Sequence, residues 1–188
     1  MSQRIGRCRV CSEKVSSPLV DLGKQPLANS LRADASETLP IVPLEICRCQ
    51  ACGTIQLTET VSPEILFEKY VWVTGTSEGA RNYSKLFCER LSARCQSDSL
   101  FVVEVASNDG TFLKRFAERG DTVLGVDPAK NIAQIAEERG IPTIPDFFGQ
   151  GVASLIVERQ GEADAVFARN VIPHVADAND VVAGMALC

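Results

Sequence analysis

The first residues whose types and spacing can do chemistry are four cysteines in two pairs. Cys8-Arg-Val-Cys11 and Cys49-Gln-Ala-Cys52 are C-x-x-C knuckles separated by one long loop. Two such pairs supply four thiolates to a tetrahedral zinc, and a closed four-sulfur shell is structural rather than catalytic. Gly53, directly after the second knuckle, lets backbone N–H groups turn toward the sulfurs. Cys47 competes with Cys49 as a ligand, but only Cys49 gives the x-x spacing to Cys52. The alternative, a set of small buried thiols, fits the spacing poorly. Cys88 and Cys95 share one helical face and read as core fillers. Cys188 is the last residue and carries no argument.

The second group of candidates lies along LFVVEVASNDGTFLKRFAERGDTVLGVDP, residues 100–128. An apolar strand, Phe101 to Val105, runs into the loop Ala106-Ser107-Asn108-Asp109-Gly110, and a second apolar strand, Val123 to Val126, ends on Asp127. An acid at that position can accept hydrogen bonds from a ribose diol, so the crevice suits an adenosine-containing cofactor. A dinucleotide needs Gly-x-Gly-x-x-Gly so that pyrophosphate can approach the backbone. Here one glycine, Gly110, follows an added carboxylate, Asp109. A carboxylate repels pyrophosphate but suits a cation with a free amino group. Glu104, before the loop, strengthens that reading, and the loop (Ala106, Asn108, Asp109, Gly110) points to S-adenosylmethionine rather than NAD.

Further along, Asp146 with Phe147 stands at the end of a third strand, where Asp146 can bond the adenine amino group or cap the next helix. Arg169-Asn170-Val171-Ile172-Pro173-His174 follows the fourth strand, where Asn170 joins the cofactor set. His174 is the only histidine in the chain. An imidazole with an unperturbed pKa of about 6.5 suits a general base at neutral pH, although a lone histidine is often structural. Tyr70 and Trp72, beside Gly75-Thr76-Ser77, either line a substrate pocket or pack one domain against the other.

These residues need a doubly wound α/β sheet to hold them. Short apolar runs bounded by turn residues suit parallel strands buried on both faces. Phe112, Leu113, Phe116 and Ala117 fall at helical spacing between the first two strands, with Gly120 to stop the helix. Ile132, Ile135 and Ala136 mark the next helix, capped by Gly140, and Thr143-Ile144 forms a brief third strand. Val152, Leu155 and Ile156 mark another helix, before a fourth strand over Ala163 to Ala168. Upstream, Ala80, Tyr83, Phe87 and Leu91 mark an amphipathic helix lying across this domain. Around the knuckles, turns are expected at Gly23-Lys24 and Pro26. Strands are expected at Pro40–Ile46 and Ile55–Thr58, and a short helix at Ser62–Lys69 with Ser62 as N-cap and Pro63 at its first position. The expected division is a β-rich zinc-binding domain at 1–69, a linker and helix at 70–98, and a cofactor domain at 99–188.

The 188 residues are 45% hydrophobic and 23% charged, an ordinary composition for a soluble chain with a core. A net charge of −5 argues against nucleic acid as the main partner, which would need a basic face. No apolar stretch follows Met1 and no run is long enough to span a bilayer, so a cytoplasmic location without membrane association is expected.

Together these features resemble the sugar C-methyltransferases of deoxysugar biosynthesis, which methylate a thymidine-diphosphate-linked 3-amino-4-ketosugar on the amino-bearing carbon. The resemblance covers essentially the whole chain. It rests on the paired knuckles, Gly23-Lys24-Gln25-Pro26-Leu27-Ala28-Asn29, Gln56-Leu57-Thr58, Gly75-Thr76-Ser77, Ser107-Asn108-Asp109-Gly110, Asp146-Phe147-Phe148 and Asn170-Val171-Ile172-Pro173-His174. It implies a zinc-binding domain followed by a Rossmann-like class I S-adenosylmethionine domain and a further nucleotide-sugar-holding domain. The implied chemistry is proton abstraction beside a ketone and in-line attack on the sulfonium methyl, with His174 matching the histidine that handles the proton.

Three features depart from the family. Ala106 stands where similar enzymes carry glycine, and Trp72 stands where they carry tyrosine. The chain also stops at Cys188, in the helix after the fourth strand, so it reads as an N-terminal fragment with a truncated sheet. Open sheet edges then favour aggregation or a homodimer. Two other readings compete: a non-catalytic zinc-dependent binding module with a vestigial cofactor fold, and an O- or N-methyltransferase. An NAD-dependent oxidoreductase is disfavoured by the missing glycine fingerprint.

Overall fold

The computed structural model describes residues 2–188. The chain divides into two compact units, Met1–Leu66 and Phe67–Cys188.

In the first unit, β1 (Ser2–Arg4), β2 (Val20–Pro26), β3 (Ile41–Arg48), β4 (Ile55–Leu57) and β5 (Glu59–Val61) form two antiparallel sheets, ordered β1-β5 and β2-β3-β4. Three of these strands, β1, β2 and β5, differ from expectation. The turn residues at Gly23-Lys24 do not end a strand but sit in a bulge within β2, where Asp21 Oδ1 accepts the Gly23 N–H at 2.8 Å. Glycine serves there because its φ is +70°, and the extra residue sharpens the twist without breaking the ladder. β1 is polar and exposed throughout, so no alternation announced it, and it is held by its register with β5. The buried apolar residues of this unit are few, Leu27 and the thiols Cys8, Cys47 and Cys49. So small a core needs a metal or another staple to hold it. The helix expected at Ser62–Lys69 is the shorter α1 (Pro63–Phe67), and the Ser62 hydroxyl bonds Glu64.

The second unit runs α2 (Glu78–Ser92), β6 (Phe101–Val105), α3 (Leu113–Arg119), β7 (Thr122–Val126), α4 (Lys130–Glu138), β8 (Thr143–Ile144), α5 (Gln150–Gln160), β9 (Ala165–Ala168) and α6 (Ala178–Leu187). Its four strands are all parallel, in the order β8-β7-β6-β9. The expected doubly wound α/β architecture is present. Alternation along β6 feeds two cores. Val102 joins Phe112, Leu113, Phe116, Ala136 and Ile141 on one face, while Val103 and Val105 join Phe148, Ala153, Ile156 and Val181 on the other. Side chains on a strand point alternately to opposite faces, so a strand buried on both sides must be apolar throughout. The expected helix over Ala80–Leu91 lies on the first of these cores, with Phe87 edge-on to Phe112. Cys88 fills that core, and Cys95, past the helix end and partly buried, packs against it.

The chain leaves β6 toward β7 on one side and returns to β9 on the other. That reversal opens a crevice at the carboxyl end of β6, the place where ligands sit in such sheets.

Candidate functional site

The four knuckle thiols converge. The Sγ atoms of Cys8, Cys11, Cys49 and Cys52 all lie within 4.8 Å of one another. Cys8 and Cys52 are 3.7 Å apart, and Cys11 and Cys49 are 3.5 Å apart. A tetrahedral zinc with Zn–S bonds of about 2.3 Å holds its sulfurs about 3.8 Å from each other, so this donor set fits zinc. Cys47 is fully buried outside the cluster, which leaves Cys49 as the fourth donor. Each knuckle turns through a left-handed residue after its second cysteine, Ser12 at φ 61° and Gly53 at φ 77°. The glycine was legible in the sequence; the serine in the same role was not.

Gln56 supports this cluster from β4. Its Nε2 donates to Cys8 Sγ at 3.1 Å, and its Oε1 accepts the Arg9 N–H at 3.0 Å. Burial pushes the Cys8 thiol up, but N–H donors from Cys11 and Val10 together with the Gln56 amide bring it down to about 6. A thiolate is the form that binds metal.

The crevice above β6 is lined by the buried acids Glu104, Asp109 and Asp127. Glu104 has no solvent exposure. Its Oε1 accepts from Arg169 Nε at 3.0 Å and Nη2 at 2.7 Å, while its Oε2 is buried without a hydrogen-bond partner. Burial pushes the Glu104 carboxyl up to about 8; Arg169 pulls it back, and Asp127 and Asp109 add to the rise. The hydroxyl of Ser107 is likewise buried and unpartnered. Asp127 ties the loop to the second strand: Oδ2 accepts the Asn108 N–H at 2.8 Å and Oδ1 the Ala129 N–H at 2.9 Å. Burial raises its carboxyl against those two donors. Buried polar atoms are almost always satisfied, so an unpaired carboxylate oxygen and hydroxyl beside a ribose-type acid fit a polar, cationic adenosyl ligand.

The loop itself turns through three left-handed residues, Ala106 at φ 53°, Asn108 at φ 52° and Gly110 at φ 71°. Gly110 has a second reason to lack a side chain, because a Cβ there would stand 2.9 Å from Ile141. Ala106 adopts the left-handed geometry that glycine holds most easily, and it bears the steric cost of that geometry.

Comparison with known proteins agrees with this geometry. Residues 8–67 match a family described as "Putative zinc binding domain", and residues 103–187 match one described as "Methyltransferase domain". Residues 103–187 thus match a methyltransferase domain, preceded by a match to a zinc-binding one. It is 34% identical over 190 residues to C-methyltransferase NovU of Streptomyces niveus, a match covering 97% of this chain and 44% of that protein. The chain thus spans less than half the length of that relative. Among solved structures, magnesium protoporphyrin IX methyltransferase (ChlM) from Synechocystis PCC 6803 with bound SAM matches at a TM-score of 0.45 and 16% identity. That match covers 57% of this chain and 53% of ChlM.

Within the methyltransferase domain, several expected site residues are present but turned to other work. Asp109 does not offer a free carboxylate to a cation. Its Oδ1 accepts from Thr111 Oγ1 at 2.8 Å, and its Oδ2 takes the Gly75 N–H at 3.0 Å and an ion pair with Arg139. The cause is burial: a carboxylate with no exposure must find donors within the fold. The Asn108 side chain likewise faces the linker, bonding Trp72 O and the Thr74 N–H.

Asp146 is exposed at the end of β8 and accepts the Phe147 N–H at 2.7 Å. It does not cap α5, whose N-cap is Gly149. Phe147 is exposed beside it. Asn170 holds a left-handed turn at φ 53° just after β9, and His174 stands exposed at the end of the 3-10 turn Ile172–His174. Trp72 is 53% exposed and Tyr70 half-buried. No helix among the described residues is long and apolar enough to cross a membrane.

Residue types gave no sign of four participants: Arg169, which closes on Glu104, and Gln56, Asn131 and Arg139, whose amide or guanidinium groups hold other site residues.

Proposed function

We propose that this methyltransferase chain uses S-adenosylmethionine to methylate carbon, acting on a nucleotide-linked ketodeoxysugar at the position next to the ketone. The observation that carries the cofactor reading is the buried, unpaired Oε2 of Glu104 near Asp127, at the foot of a loop lacking the dinucleotide glycine pattern. The likeness to C-methyltransferase NovU supports carbon as the acceptor.

In this reading Asp127 accepts from the ribose diol and Glu104 Oε2 from the α-amino group. Asp146 and Phe147 border the adenine, and backbone at Ala106, Asn108 and Gly110 lines the methionine arm, with Asn170 across from them. S-adenosylmethionine, when bound, supplies the electrophilic sulfonium methyl. Tyr70 and Trp72 face the acceptor.

His174 removes the proton from the carbon beside the ketone. The electron pair left behind forms the new C–C bond as the S–CH3 bond breaks, giving S-adenosylhomocysteine, and the imidazolium returns its proton to solvent. In-line placement of the two reactants supplies much of the rate. The four-thiolate zinc is structural and takes no part in the transfer. A cytoplasmic site of action is part of this reading.

The test is incubation with S-adenosylmethionine and a thymidine-diphosphate-linked 4-ketosugar in deuterated water. Solvent deuterium entering the carbon beside the ketone when S-adenosylhomocysteine replaces the donor, and a methyl group in place of that hydrogen when S-adenosylmethionine is present, are the expected results. Methylation on oxygen or nitrogen without exchange at that carbon would contradict it.

A further inference from the structure

The segment from Tyr70 to Gly75 is fastened to the cofactor loop by its backbone, one peptide group after another. Asn131, in the first turn of α4, bonds both backbone groups of Tyr70: its Oδ1 accepts the Tyr70 N–H at 3.1 Å, and its Nδ2 donates to Tyr70 O at 2.8 Å. Asn108 does the same one step along, donating to Trp72 O at 3.1 Å and accepting the Thr74 N–H at 2.7 Å. Asp109 takes the Gly75 N–H, and Arg81 donates to Gly75 O at 2.6 Å. Three of these anchors follow the carboxyl ends of β6 and β7, the strands that carry Glu104 and lead into Asp127. The segment is therefore a strap across the rim of the crevice, and the atoms pinning it are backbone, so the Trp72 side chain stays exposed for a ligand while the Tyr70 ring leans on Phe67.

The strap and the cofactor loop share structural atoms. Asn108 gives its side chain to the strap and its N–H to Asp127, the expected ribose ligand. A shift of one must be felt by the other. We infer that Asn131 and Asn108 are positioning residues that couple cofactor binding to the placement of the aromatic strap. Neither is a catalytic residue, and the inference rests on reading the crevice as an S-adenosylmethionine site. By linkage the coupling is reciprocal, so loosening the strap weakens the cofactor as much as the cofactor tightens the strap.

Trp72 is the only tryptophan in the chain and reports on the strap directly. The test titrates the zinc-loaded chain with S-adenosylhomocysteine, following heat and Trp72 emission together, for wild type and for Asn131→Ala. Asn131 is exposed, so its substitution removes no core contact.

In the wild type, emission should saturate with the same midpoint as the heat. Asn131→Ala should keep its zinc and its melting transition, bind S-adenosylhomocysteine about tenfold more weakly, and lose most of the Trp72 response, as expected for two backbone hydrogen bonds withdrawn from a coupled pair. Asn131→Asp, which keeps the acceptor and loses the donor, should fall between them. Heat without any Trp72 response in the wild type would overturn the coupling while leaving the cofactor site intact. Wild-type affinity in Asn131→Ala would do the same. No heat in the wild type would overturn the cofactor reading and the coupling with it.

Discussion

Arg169 closes on Glu104 with Nη2 2.7 Å from Oε1, while its Cζ lies 3.1 Å from the centroid of the Phe112 ring. One guanidinium thus joins the floor of the cofactor crevice to the segment that carries His174. Only one oxygen of the carboxylate is used. The other waits, buried, for a donor that the fold does not provide.

This arrangement has a pH signature. The folded value of about 8 lies above the ordinary 4.5, so the folded chain holds a proton that the unfolded chain has given up. The contribution of Glu104 to stability is therefore fully present below about 4.5 and declines as pH rises toward about 8. Melting temperatures of the cofactor-free chain should fall across that window, and Glu104→Gln should flatten the fall. A cationic amino group arriving at Oε2 favours the ionised form. S-adenosylhomocysteine binding near pH 7 should accordingly release protons, read as a buffer-dependent binding heat.

The zinc prediction separates ligands from neighbours. Cys52→Ser should lose about one zinc per chain and unfold the first unit, since closed thiolate sites contribute folding energy directly. Cys47→Ser, buried but outside the cluster, should keep its zinc. Gln56→Ala should keep the full zinc stoichiometry yet release the metal to a chelator roughly 10- to 100-fold faster, as outer-shell partners do.

The legible parts of this protein were those in which function and local spacing coincide. C-x-x-C pairs, apolar strands and the acid after β7 carry their meaning within a few residues. What stayed hidden depends on partners distant in sequence. Asn108 and Asp109 read as ligand contacts because they sit on the loop, yet their side chains belong to peptide groups 34 to 36 residues upstream. Asn131 and Arg139 carry no spacing signal at all. The strand Ser2–Arg4 escaped notice because its burial is nil and its pairing with Glu59–Val61 rests on backbone and an Arg4–Glu59 ion pair, neither of which alternation announces.

Gly75 tests the strap from its far end. A Cβ at that position would stand 2.6 Å from Asp109 Oδ2 and 2.7 Å from Thr111 Oγ1. Gly75→Ala should destabilise the methyltransferase domain by about 1–3 kcal/mol, measured by denaturant unfolding, because the strap cannot seat without disturbing a buried carboxylate.

His174 is exposed and takes no part in the Glu104–Asp127 framework. His174→Ala should leave the affinity for S-adenosylhomocysteine unchanged and remove solvent exchange at the acceptor carbon by about 100-fold or more, the usual share of a general base. Unchanged exchange would assign the proton to another group.

The most direct measurement of the central claim is a calorimetric titration of the zinc-loaded chain with S-adenosylhomocysteine, repeated on Asp127→Ala. The account predicts saturable binding at one site in the wild type and its loss in the variant, with NAD giving no heat in either. Binding of NAD in place of S-adenosylhomocysteine, or equal binding by Asp127→Ala, would contradict it.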